Sequence, residues 1–241
     1  YDEVIEYTYE YNADDQLVRE TSERIQESSV ETTFIVTTRT YDIHGNKITE
    51  QETSAPGSTR PDWTNDGSVN SSTLNTYTYD SSRNLITLIS EYDENGDGTI
   101  DKVFKQYYTR DASGRVKSYK KDMDYDNDDV TDVSKSTTYR YDANGNKTFE
   151  RRTSDDGNDG SFDYIYTDTY TYDDSGNLAS LNSSYDDNND GTLDRKVSTT
   201  YSYAADPSGE NIHTSTEDTD SNGLVTAVYL NTKAYDTDGN L

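Results

Sequence analysis

The chain of 241 residues contains no cysteine, three prolines, one methionine and one tryptophan. Without cysteine there is no disulfide, no thiolate metal ligand and no cysteine nucleophile. Basic residues are scarce as well, because 21 Lys and Arg stand against 48 Asp and Glu, a formal net charge of −27. Since phosphate binding needs basic patches, we expect no nucleic-acid partner. No apolar run approaches the roughly 20 residues of a membrane-spanning helix.

Apolar residues are few, at 29% of the chain including tyrosine. Low hydrophobicity combined with high net charge is typical of disordered chains. The 23 tyrosines argue against disorder, because disordered chains are poor in aromatic residues. The composition therefore excludes a conventional aliphatic core and predicts order built from tyrosine, repetition and neutralised carboxylates.

One phrase, Tyr-x-Tyr-Asp-x-x-Gly-Asn, recurs along the chain, and its second tyrosine is called the reference position below. Most reference positions are 31 residues apart, which indicates a repeat array. The eight reference positions are Tyr11, Tyr41, Tyr79, Arg110, Tyr141, Tyr172, Tyr203 and Tyr235. The sequence thus predicts that residues 1–241 form one continuous array of about eight units, with a candidate hinge at 53–62.

Each unit has the pattern of two strands joined by two different turns. The two tyrosines of the phrase are two residues apart, so they share one face of a strand. The Asp-x-x-Gly-Asn segment predicts a tight turn, because Gly and Asn adopt positive φ at little cost. A second strand follows, such as Leu85–Ile89. We predict an all-β fold, a repetitive antiparallel hairpin array of about 15 or 16 strands that forms an elongated or spiralling sheet or solenoid.

The other turn of each unit is an acidic stretch of nine residues, and its clearest copies are 93–101, 124–132, 155–163 and 186–194. Weaker copies lie at 62–70 and 218–226. Oxygen ligands at positions 1, 3 and 5, a glycine at 6, a carbonyl at 7 and a carboxylate at 9 are typical of a calcium loop. The glutamate that an EF-hand has at position 12 is absent. The alternative interpretation is that these stretches are solvated acidic turns and not calcium loops.

About five or six Ca²⁺ ions are predicted, because a cation removes the repulsion between clustered carboxylates. The predicted ligands of the stronger loops are Asp93, Asn95, Asp97, Thr99, Asp101, Asp124, Asp126, Asp128, Val130, Asp132, Asp155, Asp159, Ser161, Asp163, Asp186, Asn188, Asp190, Thr192 and Asp194. Those of the weaker loops are Asp62, Asp66, Asn70, Asp218, Asp220 and Asn222.

The phrase resembles the YD/RHS repeat family, with its best copies at 41–46, 141–146, 172–177 and 235–240. That resemblance implies long antiparallel hairpins in a spiral sheet or hollow shell, on surface or secreted bacterial proteins. The unit here is longer than the family's usual twenty-odd residues. The nine-residue loops are similar to the calcium-binding hairpin loops of integrin-type FG-GAP repeats, which join two strands.

No constellation of catalytic residues stands out. The two histidines, His44 and His213, belong to no repeating arrangement, and there is no Gly-x-Ser-x-Gly elbow. We therefore expect a protein that is not an enzyme. The favoured function is a calcium-stabilised structural repeat protein of an extracellular or cell-surface fibre, stalk or surface layer, bacterial in origin. The alternatives are a glycan-binding or encapsulating RHS-type shell module and, ranked lower, an ice-binding surface on Thr-rich strands.

The partner expected from the strand pattern is the chain itself, joined head to tail, or further repeats of a longer chain. Strand residues 4–11 lie at one end of the array, and the last unit stops after its turn, so both ends present strand edges. Such edges pair readily with another strand. Glycans are a further candidate partner.

Overall fold

The computed structural model describes residues 3–26, 32–56, 71–206, 209–220 and 224–234, which form fifteen β-strands. The strands are β1 (Glu3–Tyr11), β2 (Leu17–Gln26), β3 (Thr32–Tyr41), β4 (Lys47–Pro56), β5 (Ser71–Tyr79), β6 (Leu85–Asp93), β7 (Lys102–Arg110), β8 (Val116–Asp124), β9 (Val133–Tyr141), β10 (Lys147–Asp156), β11 (Tyr164–Tyr172), β12 (Leu178–Asp186), β13 (Arg195–Asp206), β14 (Gly209–Asp220) and β15 (Val225–Ala234). Over these ranges there is no helix, and so none that is long and apolar enough to cross a membrane. The all-β prediction is confirmed.

The chain divides into two compact units, residues 1–109 with 121–132 and residues 110–120 with 133–241, and strand β8 has residues in both. In the first unit β1 to β7 are neighbours in chain order, and in the second β9 to β15 are. The pairs within each unit are antiparallel, as in β5 with β6 or β11 with β12. The predicted array of consecutive hairpins is therefore confirmed in each unit. Of the candidate hinge, residues 53–56 belong to β4 and residues 57–62 lie outside the described ranges.

The turns at 42–46, 80–84, 142–146 and 173–177, called the Tyr-Asp turns below, each hold one end of a hairpin through an aspartate side chain. In the turn at 42–46, the Asp42 carboxylate accepts hydrogen bonds from the backbone amides of His44 (2.8 Å) and Asn46 (2.9 Å). The Asn46 side chain donates back to Asp42 (2.8 Å), and Gly45 has φ +84°. The turns at 80–84, 142–146 and 173–177 repeat these bonds. These bonds lower the pKa of Asp42, with the Asn46 side chain as the largest cause.

Repeats that depart from the Tyr-Asp-x-x-Gly-Asn pattern keep the same turn with different side chains. At 111–115 the guanidinium of Arg115 replaces the asparagine amide and donates to Asp111 at 2.7 Å. In the turn at 80–84, Arg83 takes the place of the glycine and adopts φ +66°. The aspartate at the start of the turn is thus the constant element in these two turns, and its partners vary.

Four of the reference tyrosines link their own repeat to an earlier part of the array. Their hydroxyls donate to the backbone carbonyl of the first residue of the preceding return strand at 2.8–2.9 Å. The pairs are Tyr41 with Leu17, Tyr79 with Lys47, Tyr141 with Val116 and Tyr172 with Lys147. Tyr11 has no such partner among the described residues and is 59% exposed.

Charged side chains pack against tyrosines that stand two residues before the reference positions, such as Tyr77, Tyr139 and Tyr170, which are called the tyrosine rows below. Lys147 bonds to Glu150 (2.6 Å) and lies over the ring of Tyr170 at 4.7 Å. Burial alone would lower the pKa of Lys147, but the contacts with Glu150 and Tyr170 outweigh burial and raise it. Lys47 repeats the arrangement with Glu50 (3.0 Å) and the Tyr77 ring (4.6 Å). Ion pairs and cation–π contacts therefore occupy positions that a conventional sheet fills with aliphatic side chains.

The interior of the described sheet is small and mostly polar. Val36 and Met123 are its buried apolar residues, whereas the buried polar residues include Ser154, Thr153 and Asp168. The tyrosines of the central rows, such as Tyr139 and Tyr170, are half-buried. The exclusion of a conventional aliphatic core is confirmed for the described part of the chain.

The tyrosine-to-carbonyl bond is expected to contribute to stability in its own right. Tyr172→Phe keeps the ring and removes the donor, so we expect the free energy of unfolding to fall by about 1 kcal/mol in a urea titration. Tyr11→Phe is the matched control and should change it by less than about 0.5 kcal/mol, because Tyr11 lacks the bond. Equal losses for the two variants would contradict this role.

Candidate functional site

The four stronger acidic loops all connect neighbouring strands, as predicted. Loop 93–101 begins at the last residue of β6, loop 124–132 at the last residue of β8, loop 155–163 at the second-last residue of β10, and loop 186–194 at the last residue of β12. The aspartate at position 1 is buried in every one of them, with 5–7% of its surface exposed. These residues are Asp93, Asp124, Asp155 and Asp186.

Position 1 organises each loop from the inside. One carboxylate oxygen of Asp93 accepts a hydrogen bond from the backbone amide at position 6, Gly98 (2.9 Å). The same bond is present in the other three loops at 3.1–3.2 Å. The donors there are Asp129, Gly160 and Gly191. The chain is thereby wrapped around a buried carboxylate.

Position 9 closes each loop. In loop 186–194 the Asp194 carboxylate accepts from the backbone amide of Asp187 at 2.7 Å, and the Asp194 amide donates to the carbonyl of Tyr185 at 2.8 Å. The equivalent bonds are made by Asp101, Asp132 and Asp163. The fourth predicted carboxylate is therefore brought back to the start of its loop in all four copies.

Position 5 supports the residue whose carbonyl is the predicted ligand at position 7. Asp97 accepts from the backbone amide of Thr99 (2.7 Å), and Asp190 accepts from that of Thr192 (2.7 Å). These backbone bonds are the largest cause of the lowered pKa of both aspartates. The Asp128–Val130 and Asp159–Ser161 pairs repeat the contact at 2.8 Å.

Two positions of every loop need a left-handed backbone. Position 6 has φ +68° to +89° and is glycine in three loops, which agrees with the predicted role of glycine. In loop 124–132 it is Asp129, an exception to the glycine pattern that adopts φ +68°. Position 4 was not recognised from the sequence. It is Gly96, Asn127, Asn158 or Asn189, with φ between +48° and +71°, and the recurrence of Gly and Asn was the available signal.

Carboxylates converge most closely in loop 124–132. Oxygens of Asp124, Asp126 and Asp128 lie within 4.8 Å of one another. The pKa of Asp126 is raised, chiefly by the charge of Asp128. Like charges at this separation are unfavourable, and a bound divalent cation reverses the effect because each carboxylate then gains from being ionised.

Loop 186–194 contains a buried oxygen without a partner. Oδ2 of Asp186 accepts from the Gly191 amide, whereas Oδ1 is buried and accepts no hydrogen bond. A buried carboxylate oxygen without a donor is costly. Asn188 and Asp190 stand at positions 3 and 5 of the same loop, so the oxygens required for a hard cation are present.

The other predicted ligands have different settings. Asn95 and Asp97 are exposed, and loop 155–163 has Gly157 at position 3, so it offers one side-chain ligand fewer. Asp218 and Asp220 lie in β14, where the strand continues to Asp220 and the pairing with β15 shifts between Asp218 and Thr219. In that copy position 3 therefore belongs to a strand, whereas position 3 of each of the four loops lies beyond the preceding strand. Asp62, Asp66, Asn70 and Asn222 lie outside the described residues.

No family model and no curated protein matches the sequence. Among solved structures, the chain is similar to one described as a porin-like protein from Bacteroides uniformis. The two are 12% identical, the match covers 89% of this chain and 93% of that one, and the TM-score is 0.31. A score this low carries no inference about fold or function.

Removing one loop aspartate is expected to destabilise its own neighbourhood. Asp190→Ala removes the acceptor for the Thr192 amide and one predicted ligand. In calcium, amide hydrogen exchange should speed up in β12 and β13 far more than in β1 to β4, because repeat arrays couple mainly to nearest neighbours. Asp174→Ala, at an exposed turn position, is the control and should leave both regions unchanged. A uniform loss of protection along the chain would contradict a modular array.

Proposed function

We propose that the chain is a calcium-stabilised structural repeat protein of an extracellular fibre, stalk or surface layer, with the YD/RHS-type architecture that its repeated phrase resembles. The observation that carries the proposal is the shared geometry of the four loops. Each wraps backbone amides around a buried aspartate and returns a second aspartate to its own start. Such loops concentrate oxygen ligands of the kind that Ca²⁺ takes.

The charge of the loops supports a cation and disfavours plain acidic turns. Each loop carries four or five carboxylates within nine residues. The raised pKa of Asp126 follows from this crowding, and the buried Oδ1 of Asp186 lacks a hydrogen-bond donor. One ion per loop relieves both, and the free energy of ion binding then adds to the stability of the fold. With so few buried apolar residues, that contribution is needed.

A structural role agrees with what the described residues do with their polar groups. The aspartates of the Tyr-Asp turns, the tyrosine hydroxyls and the lysines between the tyrosine rows are engaged in holding one strand to the next. Because the polar groups of the sheet bond its own strands to one another, they favour a passive, extended structural element. Calcium at the concentrations found outside cells would keep the loops occupied, which supports an extracellular or cell-surface location.

Calcium dependence is the direct test of the proposal. Excess chelator should lower the melting temperature strongly or unfold the chain, because each site saturated at 100 times its Kd contributes about 2.7 kcal/mol. Terbium should bind in its place and emit when tyrosine is excited, since Tyr125 lies within loop 124–132 and Tyr185 precedes loop 186–194. Calcium should displace it. An unchanged melting curve in chelator, with no sensitised emission, would reduce the loops to acidic turns.

The end-to-end part of the proposal is supported by strand β1. Its face carries Ile5, Tyr7, Tyr9 and Tyr11, each 45–59% exposed, and the rings of Tyr7 and Tyr9 stack in nearly parallel planes. Among the described strands β1 pairs only with β2, so its other edge is open to a further strand. A second copy of the chain, or further repeats of a longer chain, would cover these rings.

Assembly is expected to depend on these exposed rings. Replacing Tyr7 and Tyr9 together by lysine should reduce light scattering and filament formation in millimolar calcium by about tenfold or more, because charged residues on an edge oppose strand pairing. Ile43→Lys is the control, since Ile43 is 95% exposed in a turn and should not contribute. Strictly monomeric behaviour of the unaltered chain at high concentration would contradict self-assembly and leave the stalk of a longer polypeptide as the surviving form of the proposal.

A further inference from the structure

Two of the acidic loops are joined directly to each other. The side-chain amide of Asn127, in loop 124–132, donates a hydrogen bond of 2.9 Å to the backbone carbonyl of Ile100, in loop 93–101. Both loops belong to the same compact unit. Among the described residues, Asn158 and Asn189 at the same position of the later loops make no such bond, so this link singles out one pair of loops.

The two bonded residues are placed between predicted ligands. Ile100 stands between Thr99 and Asp101, positions 7 and 9 of the first loop, and Asn127 stands between Asp126 and Asp128 in the second. An ion that fixes the ligands of one loop therefore also fixes one partner of the bond. The other loop is then restrained through the Asn127–Ile100 bond before it binds its own ion.

An aromatic contact joins the same two loops at their base. The ring of Tyr125 packs edge-on against Phe104 at 5.4 Å, and Phe104 in turn contacts Tyr92 at 5.1 Å. The Tyr92 carbonyl accepts from the Asp101 amide (2.7 Å), and the Tyr125 amide donates to Asp132 (2.7 Å). The bonds that close each loop thus lie on residues that are packed through one ring, Phe104.

We propose that loops 93–101 and 124–132 bind divalent cations cooperatively, with Asn127 as the positioning residue that couples them. The inference rests on the proposed function, because it takes both loops to be ion sites. Charge alone opposes the coupling, because the first ion reduces the negative charge that attracts the second, but loop 93–101 carries four carboxylates and loop 124–132 carries five. Each loop stays negatively charged after it takes one Ca²⁺, so each still attracts a cation.

The test is a double-mutant cycle read by hydrogen exchange during a calcium titration of the full chain. Asp128→Ala damages the site in loop 124–132, and the readout is the calcium midpoint for protection of residues 93–101. We expect this midpoint to rise about fivefold, within the usual range of coupling between sites. Asp190→Ala, in loop 186–194, is the control and should leave it unchanged.

The coupling residue is tested by Asn127→Gly, because glycine tolerates the φ of +55° and removes only the side chain. In that background, Asp128→Ala should shift the midpoint of residues 93–101 by less than about twofold. Asn189→Gly is the matched control, with φ +52° at the same loop position and no side-chain bond to another described residue. Unchanged protection of residues 186–194 shows that the Asn127 and Asp128 variants still fold, and unchanged protection of β5 and β6 shows the same for the variants in loop 186–194.

The outcomes separate the inference from the proposal beneath it. Calcium-dependent protection of both loops with no effect of Asp128→Ala on residues 93–101 would overturn the coupling and leave the calcium sites standing. A fivefold shift that persists in the Asn127→Gly background would overturn the role of Asn127. No calcium-dependent protection of either loop would overturn the proposed function and the coupling together.

Discussion

Aspartate side chains that accept backbone amide bonds set the turns at both ends of the strands from β6 to β12. At one end Asp42 and its equivalents hold the tight Tyr-Asp turn. At the other end Asp93 and its equivalents hold the nine-residue loop. Because both turns are fixed by side chains of the chain's own repeat, the strand register between them follows without an aliphatic core. The tyrosine and lysine contacts described above then have constant positions to occupy.

The use of aspartate at both turns concentrates negative charge, and the surroundings of the carboxylates differ between the two ends of a hairpin. In the Tyr-Asp turns one carboxylate meets several donors, so its ionised form is favoured and its pKa falls. Stability from these groups is present above the ordinary aspartate pKa and is lost as the pH falls through the lowered value. In loop 124–132 three carboxylates meet one another, and the raised pKa of Asp126 shows that the chain's own donors do not compensate them all.

Much of the fold and of the site geometry could be predicted from the sequence, because both rest on local patterns. The strand alternation, the Asp-x-x-Gly-Asn turn and the spacing of the loop aspartates each fix a contact within a few residues. Substitutions that keep the backbone conformation but change the residue were not predictable: Asp129 in place of glycine, Arg83 in place of glycine, and Arg115 in place of asparagine. The continuation of β14 through Asp220 was also missed, because it depends on pairing with a neighbouring strand and not on the local motif.

Contacts between units were the least visible in the sequence, although they decide how far an effect travels along the array. A tyrosine hydroxyl reaches the first residue of the preceding return strand, and Lys147 reaches the ring of Tyr170 in the following unit. Each contact joins neighbouring units, so a perturbation passes from one hairpin to the next and weakens with distance. Asn127 and Phe104 make a comparable link at the other end of the hairpins, between loops 93–101 and 124–132. An element built this way gains stability from every added repeat, because each new hairpin supplies partners for groups that the previous one leaves exposed.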